Sequence, residues 1–285
     1  MNFLVLGCNG MAGHTISMYL AEQGHDVLGF DRTKSSLVKS VAGDAHNTEA
    51  LRDIISSGKF DTVINCIGIL NKAAENNKAL STFLNSYFPH FLAEATSGTN
   101  TQVIQMSTDC VFSGKRGSYT ENDFCDGETF YDRSKALGEL IDDKNITLRN
   151  SIVGPDINQD GIGLFNWFMK QNGEINGFEK AMWSGQTTLQ LAKTMEAAAK
   201  ERAYGLYNAI PEDQISKYEL LQLFNKYFRD NEIKINKVES FVADKSLKRT
   251  NFDFSYIIPD YDVMVSQLSE WTRNHSNLYP HYKLK

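Results

Sequence analysis

The chain has 285 residues, 41% hydrophobic and 22% charged, with a net charge of −6 and a sequence pI near 5.6. That is enough chain for one large α/β domain or one domain plus a smaller lobe, and without a basic stripe it argues against nucleic acid as the main partner. No apolar stretch approaches a membrane span, the run at 3–6 is too short for a signal segment, and four cysteines without CxxC spacing suggest neither a disulfide framework nor a metal site. A reducing cytoplasm, with no membrane partner, is the expectation.

No internal repeat, low-complexity tract or linker interrupts the chain. The first half alternates short apolar runs with helical patterns, as a parallel sheet with crossover helices does. Strands are expected at 2–6, 26–30, 62–65, 102–106 and 147–149. Helices are expected at 11–23, 48–57, 80–96 and 131–142, with Pro89 kinking the third. Past Ile152 the pattern is less regular. Helices near 164–171 and 188–202 precede a strand at 206–208, and Ser216 with Glu219 forms a capping box for a helix running to about Phe228. A last amphipathic helix follows Pro259, with Val263, Leu268 and Trp271 on its buried face.

Gly7-Cys8-Asn9-Gly10-Met11-Ala12-Gly13 follows the first strand and opens the first helix. Glycine permits the tight turn and lets backbone amides approach a pyrophosphate, and the helix N-terminus favours an anion there. An ordinary strand-to-helix turn has the same composition. Asp31, at the end of the second strand, stands where an adenosine ribose would need an acceptor. Asp31 suits NAD, whereas Arg32 and Lys34 suit a 2′-phosphate or lie solvated. The balance favours NADPH, with NADH possible.

Tyr131-Asp132-Arg133-Ser134-Lys135 puts a phenol and an ammonium four residues apart on one helical face. A phenol is a poor proton donor at neutral pH unless a neighbouring cation lowers its pKa, which gives the pairing its chemical sense. Upstream, Ser107-Thr108-Asp109-Cys110-Val111-Phe112 follows the apolar strand 102–106. A hydroxyl at that end of a central parallel strand sits where such sheets bind ligands. Thr108 either holds a substrate carbonyl against Tyr131 or satisfies the strand end.

In this order and spacing, Gly7-x-x-Gly10-x-x-Gly13, Ser107-Thr108-Asp109-x-Val111-Phe112 and Tyr131-x-x-x-Lys135 resemble the extended short-chain dehydrogenases/reductases. The nearest resemblance is to the dTDP-4-dehydrorhamnose reductase family, and it extends to the stretches at 148–154 and 183–188. The resemblance implies an α/β Rossmann-type doubly wound parallel sheet with a smaller C-terminal substrate-binding lobe. Residues 1–152 would carry the cofactor and catalytic residues, and 153–285 mainly the lobe, interleaved with the sheet. It implies NAD(P)H-dependent reduction of the 4-keto group of a nucleotide-diphosphate 6-deoxysugar, for dTDP-rhamnose and polysaccharide biosynthesis, by a monomer or homodimer.

By the same resemblance Thr108, Tyr131 and Lys135 form the catalytic triad, with Lys135 also binding the nicotinamide ribose. Gly7, Asn9, Gly10, Met11, Gly13, Asp31 and Arg32 would hold the cofactor, Cys66, Ile67 and Gly68 would line it, and Asp44 would stand near adenine. Asn85 would anchor a proton-relay water, or face solvent. On the substrate side stand Thr108, Asp109, Tyr131 and Asn150, with Trp183 stacking on base or sugar and Lys248 and Arg249 meeting a diphosphate. Core packing for Trp183 and solvent for the cations are the ordinary alternatives.

Cys110 departs from the tyrosine common at its place and resembles the cysteine of sugar-nucleotide epimerase-reductases, which exchanges a proton beside the keto group. GDP-fucose synthase-like enzymes imply a histidine partner, and none occurs between His90 and His275. The plant-type enzymes imply a lysine, for which Lys170 stands at a comparable distance. Otherwise Cys110 fills a small apolar space. A catalytically idle, regulatory sugar-nucleotide- or cofactor-binding subunit is the reading from another class. The intact Thr108, Tyr131 and Lys135 argue against it.

Overall fold

The computed structural model describes residues 1–284. Six strands come first: β1 Asn2–Leu6, β2 Asp26–Asp31, β3 Ser40–Ala42, β4 Thr62–Asn65, β5 Gln102–Met106 and β6 Ile146–Arg149. Between them lie α1 Met11–Glu22, α2 Thr48–Gly58, α3 Asn71–Asn76, α4 Lys78–Ser81, α5 Phe88–Ala95 and α6 Phe130–Leu137. Then follow β7 Ser151–Val153, α7 Leu164–Met169, β8 Glu174–Phe178, β9 Ala181–Trp183, β10 Gly185–Thr187, α8 Thr188–Glu201 and β11 Gly205–Asn208. The chain continues through β12 Ile215–Ser216, α9 Lys217–Phe228, β13 Lys234–Val238, β14 Ala243–Asp244 and α10 Tyr261–Asn274.

The main sheet is parallel throughout, in the order β3-β2-β1-β4-β5-β6-β11. Its direction of growth reverses between β1 and β4, so the loops leaving those strands part and open a crevice at their carboxyl ends. Both faces are apolar. Phe3, Val5 and Ile64 pack toward α1 and α8, and Leu4, Leu6 and Val63 toward α2 and α5, as in a sheet covered on both sides. Residues beyond 152 do not stay apart from this sheet, because β11 pairs with β6 at its edge. The smaller sheets, β7 with β10, β8 with β13, and β9 between β12 and β14, make up the lobe.

Three expectations change in detail. The helix expected over 80–96 is α4, a π-helical stretch Thr82–Tyr87 and α5, rather than one kinked helix. Pro89 falls in the first turn of α5 and has no N–H for the Asn85 carbonyl, and the ladder widens there instead of bending. That carbonyl lies against Gly138, where a Cβ would come within 1.8 Å of it. α6 stops at Leu137, five residues early, because the chain turns at Gly138 to send Glu139 inward. On α10, Val263 is exposed, and Met264, Val265, Leu268 and Trp271 form the buried face. Among the described residues no helix is long and apolar enough to cross a membrane, and no His, Cys, Asp and Glu group could hold a metal.

Candidate functional site

The three glycines of the first turn do different work. Gly7 has φ of +80°, the left-handed region that favours glycine, and its N–H donates to the Phe30 carbonyl at 2.8 Å. Gly13 lets α1 lie on the turn: a Cβ there would stand 2.0 Å from the Gly7 oxygen. Gly10 is exposed, a Cβ there would meet nothing closer than 3.4 Å, and it leaves open backbone at the start of a 12-residue helix. Exposed glycine backbone at a helix N-terminus fits a pyrophosphate.

Around this cradle the expected cofactor residues divide. Asp31 braces the turn, accepting from the Asn9 N–H at 3.0 Å and the Arg32 N–H at 2.7 Å, while Arg32 and Lys34 are exposed. Met11 is half-buried on the first turn of α1, and Cys66, Ile67 and Gly68 follow β4. Burial pushes the Cys66 thiol up to about 12. Asp44 is exposed, and its carboxylate accepts from the backbone N–H and Nδ1 of His46, both at 2.9 Å, which holds it below the usual carboxylate range. Asn85 does not face solvent. It is buried, its Oδ1 accepts from the Ile69 N–H at 3.0 Å, and its Nδ2 donates to the Ile69 carbonyl at 3.0 Å and to Ser134 Oγ at 3.1 Å. Asn85 therefore clamps the loop after β4 to α6.

A capping box starts α6: Thr129 Oγ1 accepts from the Asp132 N–H at 3.1 Å, and Asp132 Oδ2 from the Thr129 N–H at 3.2 Å. This orients Tyr131 and Lys135, both buried. Lys135 Nζ donates to the Met106 carbonyl at 2.6 Å, tying the helix to the end of β5. Burial brings the ammonium down to about 8, against the opposing pull of Glu139 and Cys66. The Tyr131 phenol moves up, through burial first and then the charge of Cys110, with the Thr108 hydroxyl opposing. The expected lowering by Lys135 is overturned here. Its Nζ is committed to a carbonyl, and loss of solvent outweighs the favourable contacts.

Thr108 Oγ1 accepts from the Cys110 N–H and donates to Asp109 Oδ1, each at 3.1 Å. Burial raises the Asp109 carboxyl, and burial with Asp109 pushes Cys110 up to about 12, so the thiol keeps its proton near neutrality. Lys170 does not serve as its partner in this structure, because its ammonium donates to the Gln159 carbonyl at 2.5 Å on the exposed end of α7.

The family described as the RmlD substrate binding domain matches residues 1–252. The chain belongs to that family. It is 32% identical over 143 residues to a probable low-salt glycan biosynthesis reductase of Haloferax volcanii, covering 49% of this chain and 48% of that protein. It is 30% identical over 155 residues to a dTDP-4-dehydrorhamnose reductase of Aggregatibacter actinomycetemcomitans, covering 52% and 50%. The chain thus spans about half the length of the curated relatives it matches. Among solved structures, a dTDP-4-dehydrorhamnose reductase ortholog from Clostridium acetobutylicum superposes with a TM-score of 0.79 at 20% identity, covering 96% and 100% of the two chains. The Bacillus anthracis dTDP-4-dehydrorhamnose reductase, solved with NADP, gives 0.79 at 18% identity, covering 95% and 100%. These structures share the fold.

In this RmlD-family chain several substrate-side expectations meet a different environment. Trp183 is buried, its ring centroid 5.6 Å from that of Tyr261, and it is part of the core rather than a stacking platform. Arg249 staples its own loop: Nε and Nη1 donate to the Asn251 and Tyr256 carbonyls at 2.9 Å, and Nη2 to the Phe254 carbonyl. Three of the five N–H donors of that guanidinium are thereby spent on carbonyls of its own loop. Lys248 is exposed. Asn150 is buried with Nδ2 on the Ser151 carbonyl at 3.1 Å, and its Oδ1 has no partner among the described residues.

Two features escaped the sequence reading. Lys245, just after β14, acts electrostatically on Asp109 and Cys110 and stands 3.8 Å from Asp132 Oδ2. No motif spacing announces it, because it arrives through the pairing of β14 with β9. Beneath the catalytic helix, Arg149 Nη2 meets Glu139 Oε2 at 2.6 Å, and Ser107 Oγ donates to Glu139 Oε1 at 2.6 Å. The available signal was the arginine that closes the strand Ile146-Thr147-Leu148-Arg149.

Proposed function

We propose that this chain reduces the 4-keto group of a nucleotide-linked 6-deoxysugar, using NADPH and also accepting NADH. The observation that carries the reading is a buried, protonated phenol, Tyr131, coupled to the Thr108 hydroxyl at the carboxyl edge of the sheet, on the same edge as the open Gly10 backbone. A reduced nicotinamide, when bound, supplies a hydride to the carbonyl carbon. Gly7, Gly10, Met11 and Gly13 would cradle its pyrophosphate, Asp31 and Arg32 its adenosine end, and Cys66, Ile67 and Gly68 its flank. On substrate binding the Thr108 hydroxyl, which donates to Asp109 Oδ1 in this structure, would turn to donate to the carbonyl oxygen, and the Tyr131 hydroxyl would give that oxygen its proton, leaving an alcohol. The raised phenol keeps its proton at neutral pH, as a donor in the reductive direction must. Lys135 stays largely charged below about 8 and would meet the ribose. Residues 153–285 would supply most of the sugar-nucleotide pocket, with Asp109, Asn150 and Lys245 on its floor. The cytoplasm is the compartment this chemistry suits.

The test follows NADPH absorbance with a dTDP- or UDP-4-keto-6-deoxysugar for wild type and Tyr131→Phe. Loss of the proton donor is expected to lower kcat by about 10²–10⁴-fold while NADPH affinity is retained. Full turnover by Tyr131→Phe would refute the assignment.

A further inference from the structure

We infer that the C-terminal segment 277–281 is a second wall of the dinucleotide site, and that His281 and Lys34 together grip the 2′-phosphate of NADPH. This rests on the nicotinamide reading above and adds to it a part of the chain outside the residues, 1–252, that the family matches.

A cleft of about 790 Å³ is lined from three parts of the chain, one of them the loop before α7 with Ile157 and Gln159. Asn9, Thr33 and Lys34 come from the loops after β1 and β2, and Asn277, Pro280 and His281 from the tail beyond α10. Asn9 also gives its N–H to Asp31, so the cleft adjoins the carboxylate expected at the adenosine ribose. Although the chain carries a net charge of −6, no carboxylate is among the residues lining this cleft. Lys34, an imidazole and several amide and hydroxyl groups face it, a set suited to a phosphomonoester dianion.

The tail is held to the glycine turn itself. His14 Nδ1 lies 2.9 Å from the Gly10 carbonyl and must donate to it, which leaves Nε2 to accept from the Tyr279 hydroxyl at 2.7 Å. Burial lowers His14, consistent with the neutral ring this pairing requires. Farther along, the Asp156 N–H donates to the Tyr282 hydroxyl at 2.9 Å. His281 lies between these two anchors. Its ring packs 4.2 Å from that of Tyr282, and its buried Nε2 has no partner among the described residues. A buried ring nitrogen without a partner is costly, and rotation of the ring, which itself lines the cleft, would turn that nitrogen to an anion there.

The experiment measures binding of NADPH, NADH and 2′,5′-ADP to the full chain by calorimetry, without any sugar. Lys34→Ala and His281→Ala are each expected to weaken NADPH and 2′,5′-ADP by about tenfold, the size of one lost charge-assisted contact, with NADH affinity unchanged. Where His281→Ala lowers the melting temperature, His281→Gln, which keeps a donor, is expected to recover NADPH affinity in part. NADPH and NADH weakening together would make the tail a packing element and overturn the inference, and so would unchanged NADPH affinity. A wild-type chain that binds neither dinucleotide refutes the nicotinamide reading itself, which separates the two failures.

Discussion

Gly13→Ala and Gly10→Ala differ by the same methyl group yet should fail in different ways. At Gly13 the new Cβ lies 2.0 Å from the Gly7 oxygen, 2.8 Å from the Gly7 carbon and 3.1 Å from Cys8 Cα. All three are backbone atoms, so no side chain can swing aside, and α1 must retreat by roughly 1 Å to restore contact distance. Alanine regains about 1 kcal/mol of helix propensity, against an overpacking cost at the upper end of about 1–3 kcal/mol. The net loss is about 2 kcal/mol, or roughly 4–8 °C in a domain of this size. At Gly10 the backbone has φ −75° and ψ 170°, which alanine adopts freely, and the nearest atom to a Cβ is 3.4 Å away. Its melting temperature should therefore stay close to wild type, while a methyl on the face offered to the pyrophosphate should lower NADPH affinity by about tenfold or more. Thermal melts and NADPH titrations on both variants check this. A Gly13→Ala protein as stable as wild type, or a Gly10→Ala protein with wild-type affinity, would refute the division of labour between the glycines.

Lys135 should imprint a pH dependence on stability. Its folded pKa of about 8 lies below the ordinary 10.5, so between those values the unfolded chain binds more protons and stability rises with pH. At about 1.4 kcal/mol per pKa unit, the gap is worth roughly 3 kcal/mol. The raised Cys66 and Cys110 thiols lower the stability of both proteins alike above about pH 9, so the difference in urea stability between wild type and Lys135→Met, measured from pH 7.5 to 10.5, should grow in favour of wild type; parallel curves would contradict it. Glu139→Gln leaves the Arg149 guanidinium buried without its carboxylate and should cost about 3–5 kcal/mol, read as a fall in the urea midpoint. A loss below about 1 kcal/mol would mean that the pair relaxes into solvent. Ser216→Ala removes half of the capping box of α9 and should cost about 1 kcal/mol, whereas an unchanged melt would show the helix held by packing alone.

The residues that announced themselves act through neighbours close in sequence. Gly7, Gly10 and Gly13 span two turns of chain, Tyr131 and Lys135 one turn of helix, and Ser216 with Glu219 one cap, so spacing alone carried their geometry. Strand and helix alternation likewise reported the parallel sheet, because each crossover unit repeats one local pattern. The three-residue strand β3 and the short strands of the lobe stayed hidden because they are too brief to show a period.

What only the tertiary structure decided was the environment of each side chain. Trp183 lies in the core, Arg249 binds carbonyls of its own loop and Asn85 clamps Ile69 to Ser134. Lys245 reaches Asp109 and Cys110 from more than a hundred residues away through one strand pairing. The Tyr131 phenol shows the difference most directly: its position on the helix was legible, but the direction of its pKa was not. Desolvation and charge at a site sum over groups that the fold gathers from separate segments, and no spacing along one segment contains that sum.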